Sequence, residues 1–132
     1  MTSTTASTAV DDFLADVRHG SMSPAHYAPH AVLDAVVPGW RLAAEGPDAI
    51  AREYGGWFRH PAHLTDLRRL PTATGEVVEY TLTWTEDGVG HTGRHVHVID
   101  LGDDGRIVAD HVWCGGRWPA DLLAQMEQAR AH

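Results

Sequence analysis

The residues His95-Val96-His97 have the clearest chemical potential in this chain. Side chains at i and i+2 of a strand share a face, so both imidazoles point the same way. Asp110 and Val112 share a face of the strand that follows. A carboxylate beside an imidazole raises its pKa and fixes its tautomer. If both of these strand faces look into one pocket, His97 with Asp110 is a candidate acid/base dyad, with partial burial tuning it toward neutral pH. The competing reading is that these histidines line a solvated face or hydrogen-bond within the core. His63, at a strand start after Pro61, reads on its own as an exposed loop histidine. Asp34 interrupts the apolar run Ala31-Val32-Leu33-Asp34-Ala35-Val36-Val37. A carboxylate there is costly unless partnered or wet, which a pocket position or a water-facing strand edge would resolve.

Large rings are numerous for so small a core: Trp40, Tyr54, Trp57, Tyr80, Trp84 and Trp113. Most must simply pack. A subset lining a cleft, drawn from Trp40, Tyr54, Trp57, Tyr80 and Trp84 with Val112 beside them, suits a flat, unsaturated ligand. Tyr54 is the ring expected to offer a hydroxyl. His95, His97 and a carboxylate also make a legitimate metal-ligand set, of the kind cupin barrels use. The later glutamate and histidine of that pattern are missing, so no metal and no cofactor is expected. Cys114 is the only cysteine, which rules out an internal disulfide and a cysteine-rich zinc site.

Composition prunes further. The chain has 132 residues, enough for one domain that buries roughly two thirds of its unfolded surface. Ten basic against eighteen acidic residues argue against nucleic-acid binding. Every basic residue is arginine, so lysine Schiff-base chemistry and a P-loop have no lysine to use. No apolar run approaches the roughly 18 residues of a membrane span. Residues 1–8 read as a frayed Thr/Ser/Ala tail rather than a signal peptide, with one domain over 9–132. The cytoplasm is then the expected compartment.

The elements that must position these groups follow from periodicity. Val10, Phe13, Leu14 and Val17 mark one helical face, opened by Ser7 or Thr8 and closed by Gly20. Ser23-Pro24 predicts a further helical turn or two. Ala31–Val37 and Trp40–Leu42 predict two short strands around Pro38-Gly39. Gly46-Pro47-Asp48 opens a helix carrying Ile50, Tyr54, Trp57 and Phe58. His63 to Leu70 is a plausible strand. From Glu76 to Glu86 the period is two, with Val78, Tyr80, Leu82 and Trp84 on one side. Strands over 93–101 and 106–114 follow, separated by Asp103-Asp104-Gly105. Pro119 starts a last helix with Leu122, Leu123 and Met126 inward. The order predicts an α+β fold: a curved antiparallel sheet wrapped around N-terminal helices, with a C-terminal helix and a pocket between layers.

That order, with the stretches FLADVRHGS, HAVLDAVVPGW, GPDAI and DDGRIVADHVW, resembles the SnoaL-like branch of the nuclear transport factor 2-like superfamily. Polyketide cyclases, scytalone dehydratase, ketosteroid isomerase and limonene epoxide hydrolase are its relatives. The resemblance spans about Val10 to Met126 and implies a cone-shaped fold and a homodimer. It implies a pocket-facing role for His97, with His95 in place of the cyclases' glutamine, and for Asp34 on the first strand. It likens His63 to the catalytic histidine of scytalone dehydratase. The cyclases and the epoxide hydrolase carry a catalytic aspartate five residues after the isoleucine of an Asp-Gly-x-Ile turn. Counted from Ile107, that position holds Val112, and Asp110 is the nearby substitute.

The expected activity is cofactor-free cyclisation, dehydration or isomerisation of a hydrophobic, polyketide-like carbonyl compound. His97 or His63 would remove the acidic proton. Asp110 or Asp34 would orient that base, and a second histidine or Tyr54 would serve the enolate oxygen. Two alternatives stand beside it: a non-catalytic ligand-binding or interaction module of the same fold, and a metal-dependent oxygenase or isomerase.

Overall fold

The structure, a computed structural model, describes residues 7–131. Of the expected tail, residues 1–6 lie outside the described ones. Ser7 stands at the N-cap of helix α1 (Thr8–His19), and Thr8 is that helix's first residue. Val10, Phe13, Leu14 and Val17 are its buried stripe, at the predicted spacing. Gly20 ends it in the left-handed region (φ 76°), and its N–H bonds to the Asp16 carbonyl. No side chain fits there: a Cβ would lie 2.5 Å from the His60 carbonyl carbon.

A 3-10 turn at Pro24–His26 leads into β1 (Tyr27–Val37) and β2 (Trp40–Glu45). Both strands run longer than the sequence suggests. Pairing supplies what propensity lacks: β2 continues to Glu45 because Glu45 pairs with Val32. Helix α2 (Pro47–Trp57) has proline in its first turn and buries Ile50 and Tyr54. Then come β3 (His63–Pro71), β4 (Gly75–Glu86), β5 (Val89–Leu101), β6 (Ile107–Cys114), the two-residue β7 (Trp118–Pro119) and α3 (Ala120–Arg130).

The strands form one curved sheet in the order β2-β1-β6-β5-β4-β3, and β7 pairs with β5. Every pairing is antiparallel except that of β1 with β6. Parallel neighbours need a long crossover, and here the chain between β1 and β6 provides it. This one pair departs from the all-antiparallel expectation. The concave face carries Ala31, Leu33 and Ala35 of β1, Val78, Tyr80 and Leu82 of β4, Ile99 of β5, and Ile107 and Val112 of β6. These close over Phe13, Val17, Ile50 and Phe58 from the α1 and α2 side to form the core. The architecture is the α+β fold expected from the sequence.

The C-terminal helix corrects a detail. No residue of α3 is fully buried, and Leu122 is exposed rather than inward. Leu123 and Met126 are half-buried. Leu123 instead borders a shallow depression on β4 and β5 with His63 and His91. Among the described residues no helix is long and apolar enough to cross a membrane.

Candidate active site

Residues at the same height of neighbouring strands meet on the concave face. On β5 the inward positions are Gly93, His95, His97 and Ile99, alternating with outward ones. Pairing sets Val78 and Val112 on either side of His97, and Tyr80 and Cys114 on either side of His95. Two levels result, with different chemistry.

The deeper level is a closed polar network. The Nδ1–H of His97 donates to Asp110 Oδ1 at 2.9 Å, and the Tyr54 hydroxyl donates to Asp110 Oδ2 at 2.6 Å. With that tautomer, His97 Nε2 accepts from the Tyr80 hydroxyl at 2.9 Å. His97, Tyr54 and Tyr80 are 0 % exposed and Asp110 is 1 %. Such burial is tolerable because both imidazole nitrogens, both carboxylate oxygens and both hydroxyls have partners. Burial, with the nearby Asp110 charge, pushes the hydroxyls of Tyr54 and Tyr80 well above their usual range. Both stay neutral donors.

The upper level opens onto a cavity of about 270 Å³. Its walls come from Val17 of α1, Gly56 and Trp57 at the end of α2, Phe58 just beyond it, Leu82 and Trp84 of β4, and His95 of β5. Val37 and Pro38 close one side, and Cys114, Gly116 and Arg117 another. The wall is mostly apolar. Its titratable side chains are His60, His95, Cys114 and Arg117.

His95 is the polar group set deepest in that wall. It sits among rings, 5.9 Å from Trp57 in a stacked arrangement, 5.5 Å from Phe58 and 5.3 Å from Tyr80. Its Nδ1 has no hydrogen-bond partner among the described residues. Burial, and then the neighbouring His97, lower its pKa from 6.5 to about 3. The imidazole is therefore neutral at pH 7. A folded-state pKa below the unfolded value means that the unfolded chain binds the extra proton. The His95 contribution to stability is present above pH 6.5 and is lost as pH falls toward 3. In denaturant titrations at pH 5 and pH 7.5, the wild-type protein is expected to lose more stability between the two than His95→Gln. The difference should approach about 1.4 kcal/mol per pH unit below the unfolded pKa.

The site residues expected from the sequence divide accordingly. His95, Trp57 and Trp84 line the cavity. His97, Asp110, Tyr54 and Tyr80 come together, but in the sealed layer beneath it, and Val112 is buried beside His97 without reaching the cavity wall. Asp34 is a correction. Leu33 and Ala35 take the inward positions, so Asp34 faces outward and pairs with Arg41 at 2.7 Å. The Arg41 hydrogen bond lowers its pKa, and its other neighbour is His111 at 3.6 Å. His63 is a second correction: Leu64 is the half-buried residue at that strand start, and His63 is exposed outside the cavity. Trp40 is a third. It is the first residue after the Pro38-Gly39 turn and is 71 % exposed. Trp40→Ser is expected to change unfolding free energy by no more than about 0.5 kcal/mol, read from a urea titration.

A metal option at His95 and His97 does not fit, because Asp110 and Tyr80 already hold both nitrogens of His97. Among the described residues no group of three His, Cys, Asp or Glu side chains is arranged to hold a metal ion. Sequence reasoning missed His60, Phe58, Cys114 and Arg117 at the cavity. All but Cys114 lie outside regular elements. The only signal was that α2 and β6 end nearby.

No family model matches the sequence, and no curated protein does. Solved structures do match. The epoxide hydrolase/cyclase-like enzyme SalBIII, with a role in pyran ring formation in the polyether salinomycin, superposes with a TM-score of 0.61 at 18 % identity, over 81 % of this chain and 88 % of that one. A steroid delta-isomerase from Pseudomonas aeruginosa gives 0.55 at 20 % identity, over 93 % and 89 %. An NTF2-like protein of unknown function from Cytophaga hutchinsonii gives 0.58 at 11 % identity, over 83 % and 99 %. The chain has the NTF2-like fold. In this NTF2-like cone the helices and sheet enclose one end with hydrocarbon and the buried network. The other end holds the cavity with His95 on its wall.

Proposed function

We infer that the cavity binds a flat hydrophobic carbonyl compound and that His95 moves a proton to and from the carbon beside that carbonyl. One observation carries this reading: a neutral imidazole stands in the wall of an apolar cavity, its Nδ1 sealed and unpartnered among the described residues, so that Nε2 is the nitrogen left to meet a ligand. A base with a pKa of about 3 matches a carboxylate in strength. It works only if the enolate is stabilised, since each tenfold in rate requires about 1.4 kcal/mol. His60 and Arg117 are the wall groups that donate to an enolate oxygen, and no carboxylate among the described residues lines the wall to repel one. As His95 takes the proton, its charge meets the faces of Trp57 and Tyr80.

The network beneath supports this chemistry by position. It pins the Tyr80 ring, which packs against both His95 and His97. The fate of the enolate depends on the substrate. Returning the proton to another carbon is isomerisation, expelling a β-hydroxyl is dehydration, and attack on a second carbonyl is cyclisation. The NTF2-like neighbours named as a steroid delta-isomerase and as an epoxide hydrolase/cyclase-like enzyme agree with this class.

A second reading is ligand carriage without turnover. It is favoured by the position of His97 and Asp110, which do not line the cavity. Solvent exchange separates the two. The protein in deuterated buffer is incubated with 2-tetralone, a flat ketone with acidic α-protons, and loss of the α-proton signals is monitored by NMR. Catalysis predicts at least about 100-fold acceleration over buffer. Binding with exchange at the buffer rate would establish carriage instead.

A further inference from the structure

Two arginines gather at one side of the cavity rim. Glu86, at the end of β4, stands beside this rim with its side chain 16 % exposed, and Glu53 accepts from Trp57 Nε1 at 3.0 Å on the helix side. Four groups converge on Glu86. Trp84 Nε1 donates at 2.8 Å, Arg117 forms an ion pair, His60 Nε2 lies at 3.6 Å and Arg59 at 3.9 Å. Two guanidiniums therefore share one carboxylate, in a chain whose formal charge is −8. Arg117 lies over the Trp84 ring at 5.4 Å, and both residues line the cavity. Burial, and then the neighbouring Arg59, lower the Arg117 pKa. A guanidinium carries five N–H donors, more than one shared carboxylate can use.

We propose that the rim recognises a carboxylate on the substrate, so that the cavity takes a flat hydrophobic oxo-acid: its rings lie between Trp57 and Trp84, and its carboxylate pairs with Arg117 and Arg59. Arginine suits this role through its planar fork. His60 is left to serve the enolate oxygen. The inference rests on the reading of the cavity as the ligand site, but it does not need turnover.

The test uses 2-naphthoate and its neutral isostere 2-naphthamide, with affinities read by calorimetry for the full chain. The carboxylate is expected to bind about tenfold tighter than the amide at low salt. Arg117→Gln should remove most of that preference and Arg59→Gln part of it, the preference being read as each variant's own ratio of carboxylate to amide affinity. His95→Gln should keep the preference while losing proton exchange. Equal affinity for the two probes would overturn the charged-substrate proposal and leave the cavity reading intact. Failure of both to bind would overturn both. A preference that survives in both arginine variants would also overturn the assignment, because the anion would then be held elsewhere.

Discussion

His95→Gln is expected to lower the α-proton exchange rate of 2-tetralone by at least about 100-fold while leaving the ligand's affinity within a factor of about three. The split is the informative part. His95 contributes one edge of an aromatic cavity whose larger surfaces are Trp57, Phe58 and Trp84. Glutamine keeps a polar group of similar reach, so binding by those rings persists. The neutral nitrogen that accepts the proton is gone. Glutamine sets an amide where the imidazole Nδ1 has no partner, so the variant's urea midpoint is read beside its exchange rate to separate a lost base from a lost fold. A variant that retained near-full exchange would remove His95 from the mechanism. One that lost affinity and exchange together would assign it to binding alone.

Asp110→Ala is expected to destabilise the fold by about 3 kcal/mol or more, and to do so without any contact with the cavity. Asp110 receives hydrogen bonds from Tyr54 and His97, and all three side chains are sealed from solvent. Removing the carboxylate leaves a hydroxyl and an imidazole N–H without partners in an apolar core. Each orphan costs about 1 to 3 kcal/mol. Freedom to move the His97 ring would also loosen Tyr80, its other partner, and hence the wall behind His95. Urea titrations should show a lower midpoint with an unchanged slope. Asp110→Asn should fall between, because it keeps the shape but sets an amide donor against a donor. If Asp110 were instead a catalytic group at the cavity, the alanine variant would keep wild-type stability and lose activity.

The sequence carried the fold far, and the site only partly, for a reason visible in particular residues. Periodicity reports which face a side chain takes. Val10, Phe13, Leu14 and Val17 read correctly as a buried stripe, and the β4 alternation placed Val78, Tyr80 and Leu82 on the core side. The same rule put His95, His97, Asp110 and Val112 on one concave face. Periodicity is silent on depth. One pleat along β5, about 6.6 Å, separates His97 in the sealed network from His95 at the cavity. Parity also fails where neither neighbour is strongly polar. Ala31, Leu33 and Ala35 take the inside of β1, and Asp34 follows from them only once the pairing with β6 is known. The rim was not legible at all, because Arg59, His60 and Arg117 are brought together by chain segments outside the helices and strands.

The central claim is that a flat carbonyl compound and the His95 imidazole meet inside the cone. Its most direct measurement is a crystal structure of the protein soaked with 2-naphthol, which mimics the enol of 2-tetralone. The account requires the naphthalene rings in the cavity against Trp57 and Trp84, with a His95 ring nitrogen within about 3.5 Å of the ligand. A ligand seated on the outer sheet face, or in the cavity with His95 out of reach behind the Phe58 ring, would contradict it.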